Sequence, residues 1–238
     1  EYQKDLHHYE KWLHKHDRHA TSKRNVGLLF FRKHLLQEKE YIDNTIRAIE
    51  AKGLNPLPIF VMGVEGHVAA REWFTHNNID MLINMMGFGF VGGPAGATTP
   101  GASAAAREEI LGKMNVPYVV SQPLFIQDIT SWTSQGVVPL QSAMTYSLPE
   151  MDGAVCPVVL GAIKDGRLQT VPDRLERLAG IAKLFSELRH TDNSHKKVAM
   201  VVYDYPPGMG KKASAALLDV PKSIYNILLS LRAVGYNV

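Results

Sequence analysis

The sequence has 238 residues, of which 45% are hydrophobic and 21% are charged, and its formal net charge is +3. This composition is typical of a globular protein and excludes a disordered chain, a collagen-like chain and a disulfide scaffold. Lysines and arginines are spread along the chain instead of forming a patch, so we expect no nucleic-acid binding. The apolar runs are far shorter than the ~18 residues of a membrane span, so we expect none.

The cysteine content and the first residues predict the compartment. Cys156 is the single cysteine and cannot form an internal disulfide, which favours a reducing environment. Glu1–Asn25 is too polar for a signal peptide, so we predict a cytoplasmic protein. The chain begins without methionine and stops at Tyr236–Val238, where the pattern predicts the start of a strand, so we expect a fragment of a longer protein.

Apolar runs and helical periodicity alternate along the chain after an N-terminal helical segment. The predicted strands are Val26–Phe31, Leu57–Met62, Met81–Met86, Tyr118–Ser121 and Val158–Ala162. The predicted helices are Glu38–Lys52, Glu65–His76, Ser103–Met114, Gln127–Ser134 and a long helix that starts at Pro172. This alternation predicts an α/β fold, a three-layer α/β/α arrangement with a mostly parallel sheet.

A second α/β unit is predicted near the end of the chain. Val198–Tyr203 resembles a new first strand, and the polar segment His190–Lys197 resembles a linker. We therefore predict an N-terminal helical segment over residues 1–25 and an α/β domain over residues 26–190. Residues 191–238 are predicted to be a linker and the first βα unit of a second α/β domain.

A glycine-rich segment follows the third predicted strand. Gly87–Gly92 reads GFGFVG and matches the dinucleotide-binding fingerprint literally. That fingerprint requires its third glycine to open a helix, whereas here the chain continues as GPAGATTPG. We favour a long loop, Gly87–Ala102, that lines a cleft, with a nicotinamide-dependent oxidoreductase as an alternative.

Two other patterns give weaker evidence of a function. Pro206–Ser214 (PPGMGKKAS) lacks the glycine and the Ser/Thr of a Walker A motif, so no ATP binding is expected in this chain. The N-terminal histidines lack the paired spacing of a structural zinc site.

Two positions stand out as candidate reactive groups. His34 follows the first predicted strand, and in open α/β sheets ligands bind beyond the carboxyl ends of strands. A solvated loop histidine is the alternative. Glu150 and Asp152 lie in LPEMDG, a predicted turn, where a carboxylate can accept protons or hold a hard cation. A merely solvated turn residue is the alternative there.

Several segments together resemble the large porphyrin-binding H subunit of magnesium chelatase and the related large subunit of cobalt chelatase. The matching segments are VGLLFFRKH (Val26–His34), GFGFVGGPA (Gly87–Ala95), NVPYVVSQPL (Asn115–Leu124), SLPEMDGAVCPVV (Ser147–Val159), YDYPPGMG (Tyr203–Gly210) and AALLDVP (Ala215–Pro221). They span nearly the whole chain, and the second and fourth look more like magnesium than cobalt chelatase. Two departures are Lys211–Ser214, in place of a G-N-x-G-T-like turn, and Cys156, in place of a glutamate of some relatives.

The resemblance implies a function and site residues. It implies ATP-dependent insertion of Mg²⁺, as a substrate, into protoporphyrin IX in (bacterio)chlorophyll biosynthesis. An AAA+ ATPase subunit would use the ATP, together with a partner that has an integrin-like domain, and the fragment would be inactive alone. Carried over by motif, Glu150 and His34 are catalytic, Glu150 also meets the metal, and Arg32 binds substrate. The GGP residues Gly92, Gly93 and Pro94 are implied to bind substrate too.

Three alternatives remain open from the sequence. A cobalt chelatase of cobalamin biosynthesis shares the same motifs. A small-ligand module that resembles periplasmic binding proteins shares the predicted architecture. A structural interaction segment of the large subunit, with the tetrapyrrole site elsewhere, would share both the motifs and the predicted architecture.

Overall fold

The computed structural model describes residues 5–18, 24–37, 39–63, 66–74, 79–91, 104, 108, 111–202 and 217–238. The chain divides into two compact units, Glu1–Ser186 and Glu187–Val238. The domain boundaries predicted after residues 25 and 190 stay a prediction.

The described residues of the first unit form a six-stranded sheet with the order β2-β1-β3-β4-β5-β6. The strands are β1 (Asn25–Phe31), β2 (Asn55–Val61), β3 (Met81–Asn84), β4 (Tyr118–Asp128), β5 (Val155–Lys164) and β6 (Arg167–Thr170). β1 to β5 pair in parallel, and β6 pairs antiparallel with β5. The mostly parallel sheet predicted from the alternating pattern is confirmed.

The helices of the described residues mostly lie between the strands along the chain. They are α1 (Leu6–Lys15), α2 (Arg32–Gln37), α3 (Lys39–Glu50), α4 (Gly66–Phe74), α5 (Gly112–Met114), α6 (Ile129–Gln135), α7 (Pro139–Ser142), α8 (Leu148–Met151), α9 (Pro172–Arg189) and α10 (Val220–Ala233). A helix long and apolar enough to cross a membrane is not found among them.

Helices cover both faces of the sheet. Successive side chains of a strand point to opposite faces, and in β1 Leu28 belongs to one buried cluster while Leu29 belongs to the other. The first cluster joins the sheet to α3 and α9 through buried residues such as Ile49 and Leu178. The second joins it to α4 through residues such as Phe74. The three-layer α/β/α prediction is therefore confirmed.

The N-terminal helix α1 belongs to the first unit. Asp5 caps it, because its carboxylate accepts a hydrogen bond from the His8 backbone N–H at 2.9 Å. Leu13 on this helix is buried, and the Tyr9 hydroxyl donates a hydrogen bond to the Pro56 carbonyl at 3.1 Å.

β4 is longer than the predicted strand Tyr118–Ser121 and continues through Pro123 to Asp128. Proline cannot donate a ladder hydrogen bond, so inside a sheet it is confined to edges and bulges. Here the register between β4 and β5 shifts between Gln122 and Leu124, at the position of the proline.

The predicted strand Val158–Ala162 lies within β5, but β6 has no counterpart among the predicted strands, so the hairpin of β5 and β6 was not predicted. It turns at Asp165 and Gly166, whose φ angles are +52° and +73°. Two central residues with positive φ define the hairpin turn that Asp-Gly favours. The Asp-Gly pair between two apolar runs was the sequence signal for this hairpin.

The turn predicted at Leu148–Gly153 is wrong, because Glu150 belongs to a helix. α7, a π-helical segment (Ala143–Ser147) and α8 follow each other without a break. Pro149, the second residue of α8, has no N–H to donate to the turn before it, so one helical hydrogen bond is missing close to the junction of the π-helical segment and α8. The chain leaves the helix at Asp152 and Gly153, which has φ +98°.

The second unit contains the end of α9, a 3-10 turn (Asn193–His195) and α10. The Asn193 side-chain amide donates a hydrogen bond to the Val234 carbonyl at 2.7 Å. Val198–Val202, the described part of a predicted strand, has no helix or strand structure, and Val201 is exposed. A strand needs a paired neighbour, and no strand pairs with these residues in the part of the unit that the structure describes.

Candidate functional site

The strand order places a topological switch point between β1 and β3. The two strands are neighbours, but the chain leaves β1 toward β2 on one side and β3 toward β4 on the other. In open α/β sheets the ligand crevice lies beyond the carboxyl ends of such strands. Arg32–His34 follow β1 here, and Met85–Val91 follow β3.

His34 is a buried residue of the first turn of α2, so the alternative of a solvated loop histidine is wrong. Its side chain is 9% exposed, and its ring stacks on Phe125 with centroids 4.8 Å apart and planes 13° apart. Burial, with a smaller effect of the Lys33 ammonium, lowers the pKa of His34 to about 4. His34 is therefore neutral near pH 7, and its Nδ1 has no hydrogen-bond partner among the described residues.

Gln122 on β4 is a second buried polar group at this point of the sheet. It is fully buried, and both atoms of its amide lack a hydrogen-bond partner within the described ranges. A Cβ at Gly87 would lie 3.1 Å from the Gln122 Oε1 and 3.3 Å from the Phe125 ring. The glycine thus lets the backbone after β3 pass close to Gln122, Phe125 and, through the stacked ring, His34.

Sequence reasoning missed Gln122. Its signal was a polar amide between Val119–Val120 and Leu124–Phe125, inside a segment that reads as a buried strand. Buried unpaired polar groups cost about 1–3 kcal/mol each, so such a residue needs a reason.

Asn84 at the end of β3 shapes the loop that follows. Its amide nitrogen donates hydrogen bonds to the Phe88 carbonyl at 3.0 Å and to the Tyr118 hydroxyl at 2.8 Å. Its side-chain oxygen accepts from the Met86 N–H at 2.9 Å. Burial raises the pKa of the Tyr118 hydroxyl above its usual range, so this hydroxyl stays protonated.

Asp152 holds the last described residues of the same loop. Its Oδ2 accepts hydrogen bonds from the backbone N–H groups of Phe90, at 2.6 Å, and Val91, at 3.4 Å. The side chain is buried, 4% exposed. Within Gly87–Val91 no helix begins, and Gly92, the third glycine, which a dinucleotide fingerprint requires to open a helix, lies outside the described residues.

The remaining predicted site residues lie at the surface or outside the described residues. Arg32 is exposed on α2, and Glu150 is exposed on α8. Gly92, Gly93 and Pro94 lie outside the described residues. Among the described residues, no three His, Cys, Asp or Glu side chains form a group that could hold a metal ion.

The structure does not bring Glu150 next to His34. Val155, at the start of β5, pairs with Val119 at the start of β4, whereas His34 stacks on Phe125. Phe125 lies six residues after Val119, which is about 20 Å further along β4 at roughly 3.3 Å per residue. The glycine-rich loop spans the two ends: Gly87 lies beside Gln122 and Phe125, and Val91 contacts Asp152, two residues after Glu150.

These features define a three-layer α/β protein with a topological switch point, where buried neutral polar groups lie beside the start of a glycine-rich loop. The profile of the CobN/Magnesium Chelatase family matches residues 1–238. The chain belongs to this family, as the sequence motifs predicted.

Three similar proteins illustrate the match. The chain is 57% identical over 238 residues to the H subunit of magnesium chelatase of Chlorobaculum parvum, covering 100% of this chain and 19% of the relative. It is 33% identical over 224 residues to the chloroplastic ChlH subunit of magnesium chelatase of Oryza sativa subsp. indica, covering 90% and 16%. The solved catalytic subunit of cobaltochelatase from Mycobacterium tuberculosis matches with a TM-score of 0.75 and 25% identity, covering 91% and 19%. The chain thus spans about a fifth of the length of these relatives.

Proposed function

We propose that the chain is part of the tetrapyrrole-binding large subunit of a magnesium chelatase, which inserts Mg²⁺ into protoporphyrin IX in (bacterio)chlorophyll biosynthesis. The observation that carries this proposal is the 57% identity along the whole chain to a magnesium-chelatase H subunit. A cobaltochelatase CobN subunit of Pseudomonas aeruginosa is 27% identical. The difference favours magnesium over the cobalt alternative.

The switch-point crevice is the proposed contact of the chain with the macrocycle. His34 is neutral, and its Nδ1 and the Gln122 amide lack partners in the described residues. A pyrrole N–H or N is a neutral partner of matching chemistry, and pairing would remove the cost of the unpaired atoms. Both groups are buried in the free protein, so this pairing requires that they become accessible when the macrocycle binds. A neutral histidine with a pKa near 4 is a weak base, so we propose hydrogen bonding for His34 in the free protein and proton relay only once a ligand raises its pKa.

Glu150 and Arg32 have separate proposed roles. Exposed Arg32 suits the propionates of the porphyrin through bidentate hydrogen bonds. Glu150 is exposed, so its carboxylate can replace a water ligand of Mg²⁺, an ion that loses its water ligands reluctantly. The same carboxylate can accept the pyrrole protons. Because Gly87 lies beside Phe125, on which His34 stacks, and Val91 contacts Asp152, two residues after Glu150, we propose that the macrocycle lies along Gly87–Val91. Gly92, Gly93 and Pro94 stay proposed substrate-binding residues.

The energy for insertion is proposed to come from partner subunits in the cytoplasm. Pro206–Ser214 lacks a Walker A motif, so the ATP is assigned to an AAA+ subunit that acts with the integrin-like-domain partner. The purified chain should show no ATP hydrolysis in a phosphate-release assay. ATP turnover by the chain alone would contradict this assignment.

A metal-insertion assay tests the proposed reaction. The large subunit that carries this sequence is combined with both partner subunits, ATP and either protoporphyrin IX with Mg²⁺ or a cobalamin precursor with Co²⁺, and the metallated product is followed by fluorescence and absorbance. We expect Mg²⁺ insertion that stops when the ATP is replaced by a non-hydrolysable analogue. Failure with Mg²⁺, together with Co²⁺ insertion into a cobalamin precursor, would assign the chain to cobalt chelatase.

Gln122→Leu is expected to weaken porphyrin binding without weakening the fold. Replacing an unpaired buried amide with an apolar group of similar size leaves the free energy of unfolding unchanged or raises it by up to about 2 kcal/mol. The loss of the hydrogen bonds to the macrocycle should raise the porphyrin dissociation constant about 10-fold. Urea denaturation and absorbance titration measure the two effects.

Gln127→Leu is the matched control on the same strand. Gln127 is buried, but its amide donates to the Gly136 carbonyl at 2.7 Å and accepts from the Val138 N–H at 3.1 Å. Its replacement should lower the free energy of unfolding by about 2 kcal/mol. If Gln122→Leu destabilises the fold as much as this control does, Gln122 is a structural residue.

A further inference from the structure

The buried carboxylate of Asp152 joins two motifs that are far apart in the sequence. Its Oδ2 lies 2.6 Å from the Phe90 nitrogen and 3.4 Å from the Val91 nitrogen. Phe90 and Val91 belong to the glycine-rich segment, and Asp152 belongs to LPEMDG. Both N–H groups donate to the same carboxylate oxygen, so this contact fixes the backbone of Phe90 and Val91.

Gly89 leaves room for this carboxylate because it has no side chain. A Cβ at position 89 would lie 2.8 Å from the Asp152 Oδ2, which is closer than real Cβ contacts. The middle position of GFGFVG is thus a glycine because any larger residue would collide with the Asp152 carboxylate. The backbone of the loop and the aspartate occupy one fitted arrangement that either an added methyl group or a lost carboxylate would disturb.

The anchored backbone leads directly into Gly92, Gly93 and Pro94. The other end of the loop is held by Asn84, through the Phe88 carbonyl at 3.0 Å. Asn84 and Asp152 thus hold the backbone of Gly87–Val91 by side-chain hydrogen bonds, and the His67 N–H adds a backbone hydrogen bond to the Phe90 carbonyl at 3.3 Å. Of these residues, only Asp152 comes from the LPEMDG motif.

We propose that Asp152 is a positioning residue for the tetrapyrrole site, which fixes the glycine-rich loop in the conformation that receives the macrocycle. This inference rests on the proposed function. It separates the two acidic residues of LPEMDG: exposed Glu150 acts on the reacting atoms, and buried Asp152 acts through the loop.

Asp152→Asn tests the positioning role in the large subunit with its partner subunits. The amide keeps the size of the side chain and one acceptor oxygen but removes the charge, so the loop is held less firmly. We expect the KM for protoporphyrin IX to rise about 10-fold, with kcat at saturating porphyrin changed by less than about 3-fold. Glu150→Gln should give the opposite pattern, a fall in kcat with little change in KM.

Hydrogen exchange of the Phe90 and Val91 amides measures how firmly the loop backbone is held in the absence of porphyrin. Exchange of both amides should be about 10-fold faster in Asp152→Asn, with the melting temperature of the protein nearly unchanged. Asp128→Asn is the matched control, because the Asp128 carboxylate accepts the Ser131 N–H at 2.8 Å as the cap of α6. This control should leave both the KM and the two exchange rates as they are.

Gly89→Ala gives a second, independent variant. It should raise the KM in the wild-type background but add little in an Asp152→Ala background, because the atom that it displaces is then absent. If Gly89→Ala and Asp152→Ala raise the KM by strictly additive amounts of free energy, the proposed fit between Gly89 and Asp152 is overturned.

The outcomes separate this inference from the proposed function. Faster exchange in Asp152→Asn with an unchanged KM would overturn the positioning role, and so would a raised KM accompanied by a general loss of folding. Absence of porphyrin binding and of metal insertion in the wild-type protein would overturn the proposed function instead, and with it the role of the loop in that function.

Discussion

Replacing Glu150 with glutamine is expected to slow magnesium insertion about 100-fold or more while porphyrin affinity and folding stay unchanged. A positioned proton-transfer group contributes roughly 10²–10⁴-fold to a rate, and glutamine can neither accept the pyrrole protons nor replace a water of Mg²⁺ as a charged ligand. Because the Glu150 side chain is exposed on α8, its replacement removes no packing from the core. Stopped-flow or continuous fluorescence of the metalloporphyrin measures the rate.

The control for this prediction is Glu72→Gln, which neutralises an exposed glutamate on α4. It should leave the insertion rate within about 2-fold of the wild type. Glu150 is structural or irrelevant if Glu150→Gln inserts Mg²⁺ at the wild-type rate. A loss of porphyrin binding with disturbed folding would equally remove the catalytic role.

Acidification from pH 7 to pH 4 is expected to destabilise the fold by up to about 3 kcal/mol through His34 alone. The pKa of His34 is about 4 in the folded protein and near 6.5 when the chain is unfolded. Below pH 6.5 the unfolded chain binds a proton that the folded chain resists, so stability falls as the pH drops toward 4, at about 1.36 kcal/mol per pKa unit. Above pH 6.5 the histidine is neutral in both states and contributes no pH dependence.

His34→Phe isolates this contribution. Phenylalanine retains an aromatic ring beside Phe125 and has no titrating nitrogen, so the variant should lose less stability than the wild type between pH 6.5 and pH 4. Urea denaturation at several pH values gives the difference. Parallel curves for the wild type and His34→Phe would show that His34 is not held neutral by burial.

Much of the sheet was predictable because its strands are short apolar runs between helices. Burial on both faces makes a parallel strand read as a continuous apolar run, and β1 is such a run. The hairpin at Asp165-Gly166 was also readable from turn chemistry but was missed. The helical state of Glu150 was not readable locally, because Pro149 and Gly153 resemble a turn while the π-helical segment before them leaves no simple periodic signal.

The candidate site was predicted only in part. His34 was identified by its place after a strand, but its burial depends on Tyr41 of the next helix and on Phe125, which the fold brings from β4. The roles of Gln122 and Asp152 depend on contacts with residues of the loop after β3. Sequence spacing cannot show such contacts, so the motifs indicated the family and the loop but not the side chains that hold the loop.

The most direct test of tetrapyrrole binding by this segment is an absorbance titration of the large subunit and of the 238-residue chain with protoporphyrin IX. We predict a saturable Soret shift for the large subunit, with the dissociation constant raised about 10-fold by Gln122→Leu and also raised by His34→Phe. A shift for the chain alone would place the whole binding site within it. No Soret shift with the large subunit, or a dissociation constant that neither substitution changes, would contradict the claim that this segment binds the tetrapyrrole.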